Sequence, residues 1–468
     1  MAFAFSACHA AEPAKPNFVI IFVDDMGYGD VGCFGGTIQS PRLDEMATEG
    51  MRFTSFYGQQ VCGPSRSAIL TGCYPMRVAE KGNIKNIHPV LHDKEVTIAE
   101  VLKDRGYATG CFGKWDQAGH TQVGFDPKLM PNHQGFDYYY GTPSSNDGKI
   151  DLYRNAKLIE ENSDMSLVTK RYTDEVIGFI EKHKDEPFFI YNPHTMPHTR
   201  LGASADFRGK SPRGLYGDVI NEIDYSVGRV LDTIERLGLA KNTYVIFTSD
   251  NGPWLIHNKN KADGTGPKDH GGSAGVLRSG KVSTWEGGIR VPTIVWAPDR
   301  VAPGTTCATI ASTMDLLPTL AALSGGKAPT DRKLDGEDIR HLLEGAFDQA
   351  TKEKTFFGYQ TTELQSVRQG SWKLHLARAK QREWNPFANN AHIAEVDNFA
   401  SETPALYNLD DDIGESKDIA AAHSDVVAQL LRLAESARAD LGDYNRIGSG
   451  QRFFDPGPKR KTEAQWIN

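Results

Sequence analysis

Apolar positions along the chain fall into runs of two kinds. The first is short and continuous: NFVIIFV at 17–23, PFFIY at 187–191 and TYVIFT at 243–248 are rich in β-branched and aromatic residues and show no polar alternation. Such runs mark strands buried on both faces of a sheet. Segments 107–112 and 291–296 follow the same pattern. The second kind has a helical period: 41–49, which opens on a proline suited to a first turn, then 97–105, 167–182, 216–237 and 314–323. Strands alternating with helices predict an α/β fold, a large and mainly parallel sheet flanked by helices on both faces.

Near residue 350 the pattern changes. Short strand-like segments at 356–361, 364–368, 372–376 and 405–409 have hairpin spacing, and 424–439 is helical again. This predicts a small C-terminal antiparallel sheet with one helix. The expected organisation is a leader at 1–15, an α/β catalytic domain at 16–350 and an α+β subdomain at 351–468. Two polar stretches, 127–153 and 378–402, are expected to be long loops.

Composition narrows the class. The chain has 468 residues, 39% of them hydrophobic, enough for a sizeable core and against wholesale disorder. Lys plus Arg number 52 against 60 Asp plus Glu, a formal charge of −8, which disfavours nucleic acid and anionic membranes as partners. Any anion site must therefore be a local concentration of positive charge. No stretch approaches the ~20 apolar residues of a membrane span. The first eleven residues, MAFAFSACHAA, are small and apolar and end as a signal-peptide cleavage site does, which predicts a signal remnant and a periplasmic or secreted protein. The six cysteines contain no Cys-x-x-Cys pair, and Cys33, Cys73, Cys111 and Cys307 are expected to be buried small hydrophobes.

Two of the buried strand runs end in oxygen-bearing residues: Asp24-Asp25 and Ser249-Asp250-Asn251-Gly252. Either alone is an ordinary turn. At one sheet edge, three carboxylates and an amide oxygen form a hard-oxygen cluster suited to calcium or magnesium. The stretch VCGPSRSAILTG at 61–72 puts Cys62 at or just before a helix N-terminus, where free N–H groups favour an anion, and Arg66 one turn on.

Cys62-Gly63-Pro64-Ser65-Arg66 followed by Leu70-Thr71-Gly72 resembles the signature of type I, formylglycine-dependent sulfatases, in the alkaline-phosphatase-like superfamily. Gly113-Lys114-Trp115, Pro197-His198, the two acidic turns, the glycine-rich stretch 270–292 and Leu406-Tyr407-Asn408-Leu409 extend the resemblance over nearly the whole chain. The resemblance implies an arylsulfatase-like sulfuric ester hydrolase whose Cys62 is oxidised to formylglycine by a maturating enzyme. It implies that Asp24, Asp25, Asp250 and Asn251, with the modified Cys62, hold calcium. It implies that Arg66 steadies the formylglycine hydrate, that Lys114 and Lys281 bind sulfate oxygens, and that His198 serves the leaving group. Ser145 is matched to a serine contacting formylglycine. The expected substrate is a sulfated carbohydrate or aryl sulfate. Glycans are favoured by the two polar stretches and by Trp254 and Trp384 as stacking surfaces. The competing readings are a phosphate or phosphonate ester hydrolase of the same superfamily and a non-catalytic carbohydrate-binding relative.

One position departs from the family pattern. The family continues Gly-Lys-Trp with a histidine that acts as base when sulfate is expelled; this chain has Asp116, in GKWDQAGH. Three assignments follow: Asp116 is the base, His120 reaches back to serve, or Asp116 is a structural partner of a lysine. His194 is expected to approach the site from a strand end, and His88, His92 and His133 to be surface or structural.

Overall fold

The structure, a computed structural model, describes residues 15–85, 88–120, 124–255, 271–347, 354–378 and 401–462. The leader, Trp384, nearly all of the polar stretch 378–402 and His270 lie outside the described residues.

Ten strands form one sheet, in the order Thr305–Cys307, Met51–Phe53, Thr293–Trp296, Thr243–Ser249, Asn17–Val23, Phe188–Pro193, Ala108–Lys114, Tyr138–Thr142, Leu152–Arg154, Lys157–Glu160. The central strands, from Thr243–Ser249 to Tyr138–Thr142, run parallel. Both flanks bring in antiparallel pairs. The sheet is therefore mixed, and the expected parallel character belongs to its centre. The flanking strand Thr293–Trp296 lies within the apolar run 291–296, but an edge strand such as KLIE at Lys157–Glu160 is largely exposed and needs no continuous apolar sequence.

The central strands lack polar alternation because both faces are covered. Phe18, Ile20 and Phe22 enter one core with Ile69, Leu70, Ile98 and Leu317 from the helices Cys62–Thr71, Ile98–Lys103 and Leu316–Leu323. Val19, Ile21 and Val23 enter the other with Leu43, Val176 and Ile220 from Pro41–Glu49, Val168–Lys182 and Gly214–Arg236. The stretch 127–153 is not one loop. It contains the strand Tyr138–Thr142 and the start of Leu152–Arg154, leaving 143–151 to cross the top of the sheet. The run YYYGT is aromatic and suits a pleated, half-buried surface, a signal outweighed by its polar neighbours.

The C-terminal part is a four-stranded antiparallel sheet, Thr355–Gln360, Glu363–Gln369, Trp372–His375 and Ala405–Asn408. The helix Ser424–Leu441 packs on it through Leu430, Ala434, Ala437 and Leu441. It joins the α/β part through Tyr57 stacked on Phe356 and through buried Glu286, paired with Arg368 and Lys373. Among the described residues, no helix is long and apolar enough to cross a membrane.

Two glycines shape the site end of the sheet. A Cβ on Gly113, at φ +138°, would lie 1.9 Å from the Pro193 carbonyl oxygen, and one on Gly58 would lie 2.0 Å from that of Asp250. Only glycine lets these backbones close up beside Lys114 and ahead of Cys62.

Candidate active site

The carboxyl ends of the central strands deliver the site. Val23 pairs with Ser249, so Asp24-Asp25 and Asp250-Asn251 leave the sheet side by side. The Asp25 N–H donates to Asp250 Oδ1 at 3.0 Å, and Asn251 Nδ2 donates to Asp25 Oδ1 at 2.7 Å. Lys114 ends its own strand, and the chain leaving Phe188–Pro193 carries His194 and His198. The helix Cys62–Thr71, buried along its whole length, begins at Cys62 with no side-chain cap, so its first turn faces the acids.

Cys62 is the meeting point. Its Sγ donates to Asp24 Oδ1 at 3.1 Å and accepts from Lys281 Nζ at 3.1 Å. Lys281 also pairs with Asp25 at 2.7 Å. Arg66 donates to Asp24 Oδ2 at 2.8 Å and to the Lys114 carbonyl at 2.8 Å, and lies 3.6 Å from Asp250 Oδ2. Lys114 Nζ donates to Asp24 Oδ2 at 2.7 Å. His198 Nε2 stands 3.8 Å from Asp25 and 3.7 Å from Asp147.

Burial and charge work against each other here. Burial opposes the Asp24 carboxylate, but Lys114, His198, Arg66 and Lys281 hold its pKa well below the usual range. Burial, with Asp24 next to it, pushes Asp250 well above. Burial and Asp24 also push the Cys62 thiol well up. Lys281 stays charged because Asp25, Cys62 and Asp24 outweigh its desolvation.

The donor set fits a hard dication. Asp250 Oδ2 and Asn251 Oδ1 are buried oxygens without a hydrogen-bond partner among the described residues, next to the carboxylates of Asp24 and Asp25. Asp24, Asp25, Cys62 and His198 also bring ligand atoms within 4.8 Å of one another. Asp24, Asp25 and Asp250 would balance Arg66, Lys114 and Lys281 one for one once a cation draws the proton from Asp250. A bound dication would add the net positive charge that an anionic ester needs.

At the departing position, Asp116 and His120 belong to one network. His120 Nδ1 is 3.0 Å from Asp116 Oδ1 and Nε2 is 2.9 Å from Asp147 Oδ2. Against its own desolvation, these two carboxylates raise His120 to about 9, so it is an imidazolium at neutral pH. Asp116 lies 3.9 Å from Lys114, farther than Asp24 does. The amide of Gln117 donates to the Gly63 carbonyl at 2.8 Å, which pins this segment to the first turn of the Cys62 helix.

The other expectations divide. Ser145 is buried in the 143–151 crossing, next to Asn146 and Asp147. Trp254 lies with Lys281 Nζ 5.6 Å from its ring centre. His194 does not offer its ring to the site: the ring meets Tyr172 edge-on, and only its carbonyl reaches Arg66. It sits at the very end of the buried strand, so its side chain turns into the core. His88 is not remote, since its ring stacks on His120 at 3.6 Å, brought there by a loop no periodicity reveals. His92 is buried against Asp455, and His133 is exposed. Asp147 went unnoticed: a lone acid in a polar loop carries no pattern, and only folding sets it between two histidines.

Sheet order and site together place the molecule among the alkaline-phosphatase-like hydrolases. Within that class, the chain belongs to the sulfatase family: the Sulfatase family model matches residues 16–326, and the model for the C-terminal region of aryl-sulfatase matches 351–458. Arylsulfatase A of Homo sapiens is 34% identical, covering 95% of this chain and 92% of its own. N-acetylgalactosamine-6-sulfatase of Mus musculus is 34% identical over 90% of this chain and 85% of its own. A solved structure from the metabolism of multiple glycosaminoglycans by Bacteroides thetaiotaomicron superposes with a TM-score of 0.77 at 27% identity, covering 91% of this chain and 100% of that one. The protein is a sulfuric ester hydrolase of sulfated carbohydrates or aryl sulfates.

Proposed function

We propose that this sulfatase uses Cys62, converted to formylglycine, as its nucleophile beside a calcium ion held by Asp24, Asp25, Asp250 and Asn251. The observation that carries the reading is the seat of Cys62: at a helix start, 3.1 Å from both Asp24 and Lys281, with its thiol held protonated. A buried thiol with a raised pKa is a poor nucleophile. The seat suits an oxygen nucleophile instead. A separate maturating enzyme, which supplies the oxidant, breaks the Cβ–S bond of Cys62, releases the sulfur and leaves an aldehyde on that carbon, and water adds to give two hydroxyls on one carbon.

Calcium, held by Asp24, Asp25, Asp250 and Asn251, would supply neutralising positive charge for an anionic ester. Lys114 and Lys281 bind the sulfate oxygens, and Arg66 holds the hydrate in place. One hydroxyl, losing its proton to a neighbouring carboxylate, attacks sulfur as the alcohol leaves with a proton from His198 or Lys281. The second hydroxyl then gives its proton to Asp116, the C–O bond to sulfate breaks, and the aldehyde returns. Lys114 and His120 keep Asp116 ionised against its burial, and His120 holds it in position.

The substrate class favoured is a sulfated carbohydrate. Trp254 beside Lys281 offers an apolar face of the kind sugar rings stack on, and relatives include an N-acetylgalactosamine-6-sulfatase. The test is peptide mass spectrometry of protein co-expressed with a maturating enzyme, alongside activity on position-defined sulfated sugars. Activity should scale with the aldehyde fraction at Cys62 and vanish in Cys62→Ala. Full activity from unmodified thiol would sink the proposal.

A further inference from the structure

We propose that the turn of the C-terminal hairpin, Gln360-Thr361-Thr362, is a positioning clamp that seats Lys281 against Cys62. The proposal rests on the reading of Lys281 and Cys62 as active-site partners given above.

Lys281 lies in a segment of little regular structure between the glycine-rich loop and the short helix Glu286–Ile289. Two nearby residues are in left-handed backbone conformations, Ser279 at φ +65° and Val282 at φ +69°. A β-branched valine holds that conformation only where its surroundings impose it. The surroundings act from two sides. On the α/β body, the Lys281 N–H donates to the Pro253 carbonyl at 3.0 Å and the Val282 N–H to the Gln60 carbonyl at 2.8 Å. On the C-terminal sheet, Gln360 Nε2 donates to the Val282 carbonyl at 2.9 Å. The residue following Lys281 is thus held through both its N–H and its C=O, one by the loop ahead of Cys62 and one by the C-terminal sheet.

Gln360 is itself held. Gln365 Nε2 donates to Gln360 Oε1 at 3.0 Å, while Gln365 Oε1 accepts from Thr284 Oγ1 at 3.2 Å, farther along the Lys281 segment. The same turn reaches the nucleophile. Gln60 stands two residues before Cys62, and with its amide in the orientation that satisfies both groups it donates to the Tyr359 carbonyl and accepts from the Thr361 N–H, each at 3.0 Å. One hairpin turn therefore grips the approach to Cys62 and the approach to Lys281. Gln60, Gln360, Gln365 and Thr284 are all buried, so these bonds are sheltered from water. A lysine side chain is long and flexible and presents a point charge. Its ammonium is placed within 3.1 Å of Cys62 only if its own backbone is fixed, and the C-terminal turn completes that fixing.

The test is a double-mutant cycle on the mature, formylglycine-bearing enzyme with an aryl sulfate. Gln360→Ala should lower kcat/KM by about tenfold, the worth of one buried hydrogen bond, mainly through KM. Lys281→Met should cost more. In the double variant, Gln360→Ala should cost nothing further, because a clamp acts only through the lysine it places. A purely structural role would lower the melting temperature yet leave the two losses additive, and additivity overturns the clamp. Should Gln360→Ala not fold, Thr284→Val keeps the side-chain shape, removes the hydroxyl that meets Gln365, and carries the same cycle. Wild-type kcat/KM in Lys281→Met would remove the role proposed for Lys281 and the clamp with it, an outcome told from additivity by that single variant alone.

Discussion

Asp116 shows how much a single substitution of type can rearrange. Where relatives are expected to carry a histidine after Gly-Lys-Trp, this chain has a carboxylate and moves the imidazole four residues on, to His120. Asp116 and His120 are then not rivals for one role but a pair, with Asp147 closing the far side. If Asp116 accepts the proton when sulfate is expelled, Asp116→Asn should spare sulfate transfer and slow its release. Rapid mixing with a chromogenic aryl sulfate should then show a burst of about one equivalent of alcohol followed by slow turnover. His120→Gln should show the same burst in weaker form, because it loosens the base without removing it. Near-normal turnover with no burst in Asp116→Asn would take the pair out of this step. The identities of Cys62, Arg66 and Lys114 were legible from short motifs, since chemistry of this kind demands particular side chains at fixed local spacing. Asp147 and His88 were not, because loops bring them in from residues with no periodic or motif signal.

At the scale of elements, the helix Cys62–Thr71 matters most. It is buried throughout, and its serines serve as ties. Ser65 Oγ accepts from the Gln59 N–H at 3.0 Å and donates to the Asp250 carbonyl at 2.6 Å, joining the Cys62 helix to the second acidic turn. Ser65→Ala removes both bonds, leaves the Gln59 N–H and the Asp250 carbonyl only their longer 3.3 Å bond to each other, and should cost about 1–2 kcal/mol of stability. It should also weaken calcium affinity, since the second acidic turn then loses its hydroxyl tie to the Cys62 helix; denaturant melts and calcium titration measure the two effects. A loss of stability with unchanged calcium affinity would show that the tie does not set the cation seat. The central strands were readable because burial on both faces writes itself as an unbroken apolar run. The edge strand Lys157–Glu160 and the strand Tyr138–Thr142 were not, because exposed edges and mixed aromatic segments carry weaker patterns.

At the scale of the molecule, the cation seat should act as a rivet between two chain segments more than two hundred residues apart. Asp24-Asp25 and Asp250-Asn251 crowd three carboxylates together, and burial sets them against one another. Saturating calcium should therefore raise the unfolding free energy by RT ln(1 + [L]/Kd), about 2.7 kcal/mol at a hundredfold excess over Kd. Exhaustive chelation should lower the melting temperature and abolish turnover, with both restored by calcium; an unchanged melting temperature after chelation would count against the seat. What the sequence determined by itself was the local: which runs are strands, where a helix starts, and which residue types stand at the strand ends. Those follow from short-range sterics, hydrophobic period and the fixed demands of the chemistry. What only the tertiary structure decided was the pairing of distant pieces: the mixed order of the sheet, the Asp116–His120–Asp147 chain, and the grip of the C-terminal turn on Lys281. Those depend on buried hydrogen bonds between segments far apart in the chain, and such bonds form only once hydrophobic burial has brought their backbones together, so they leave no mark in either segment read alone.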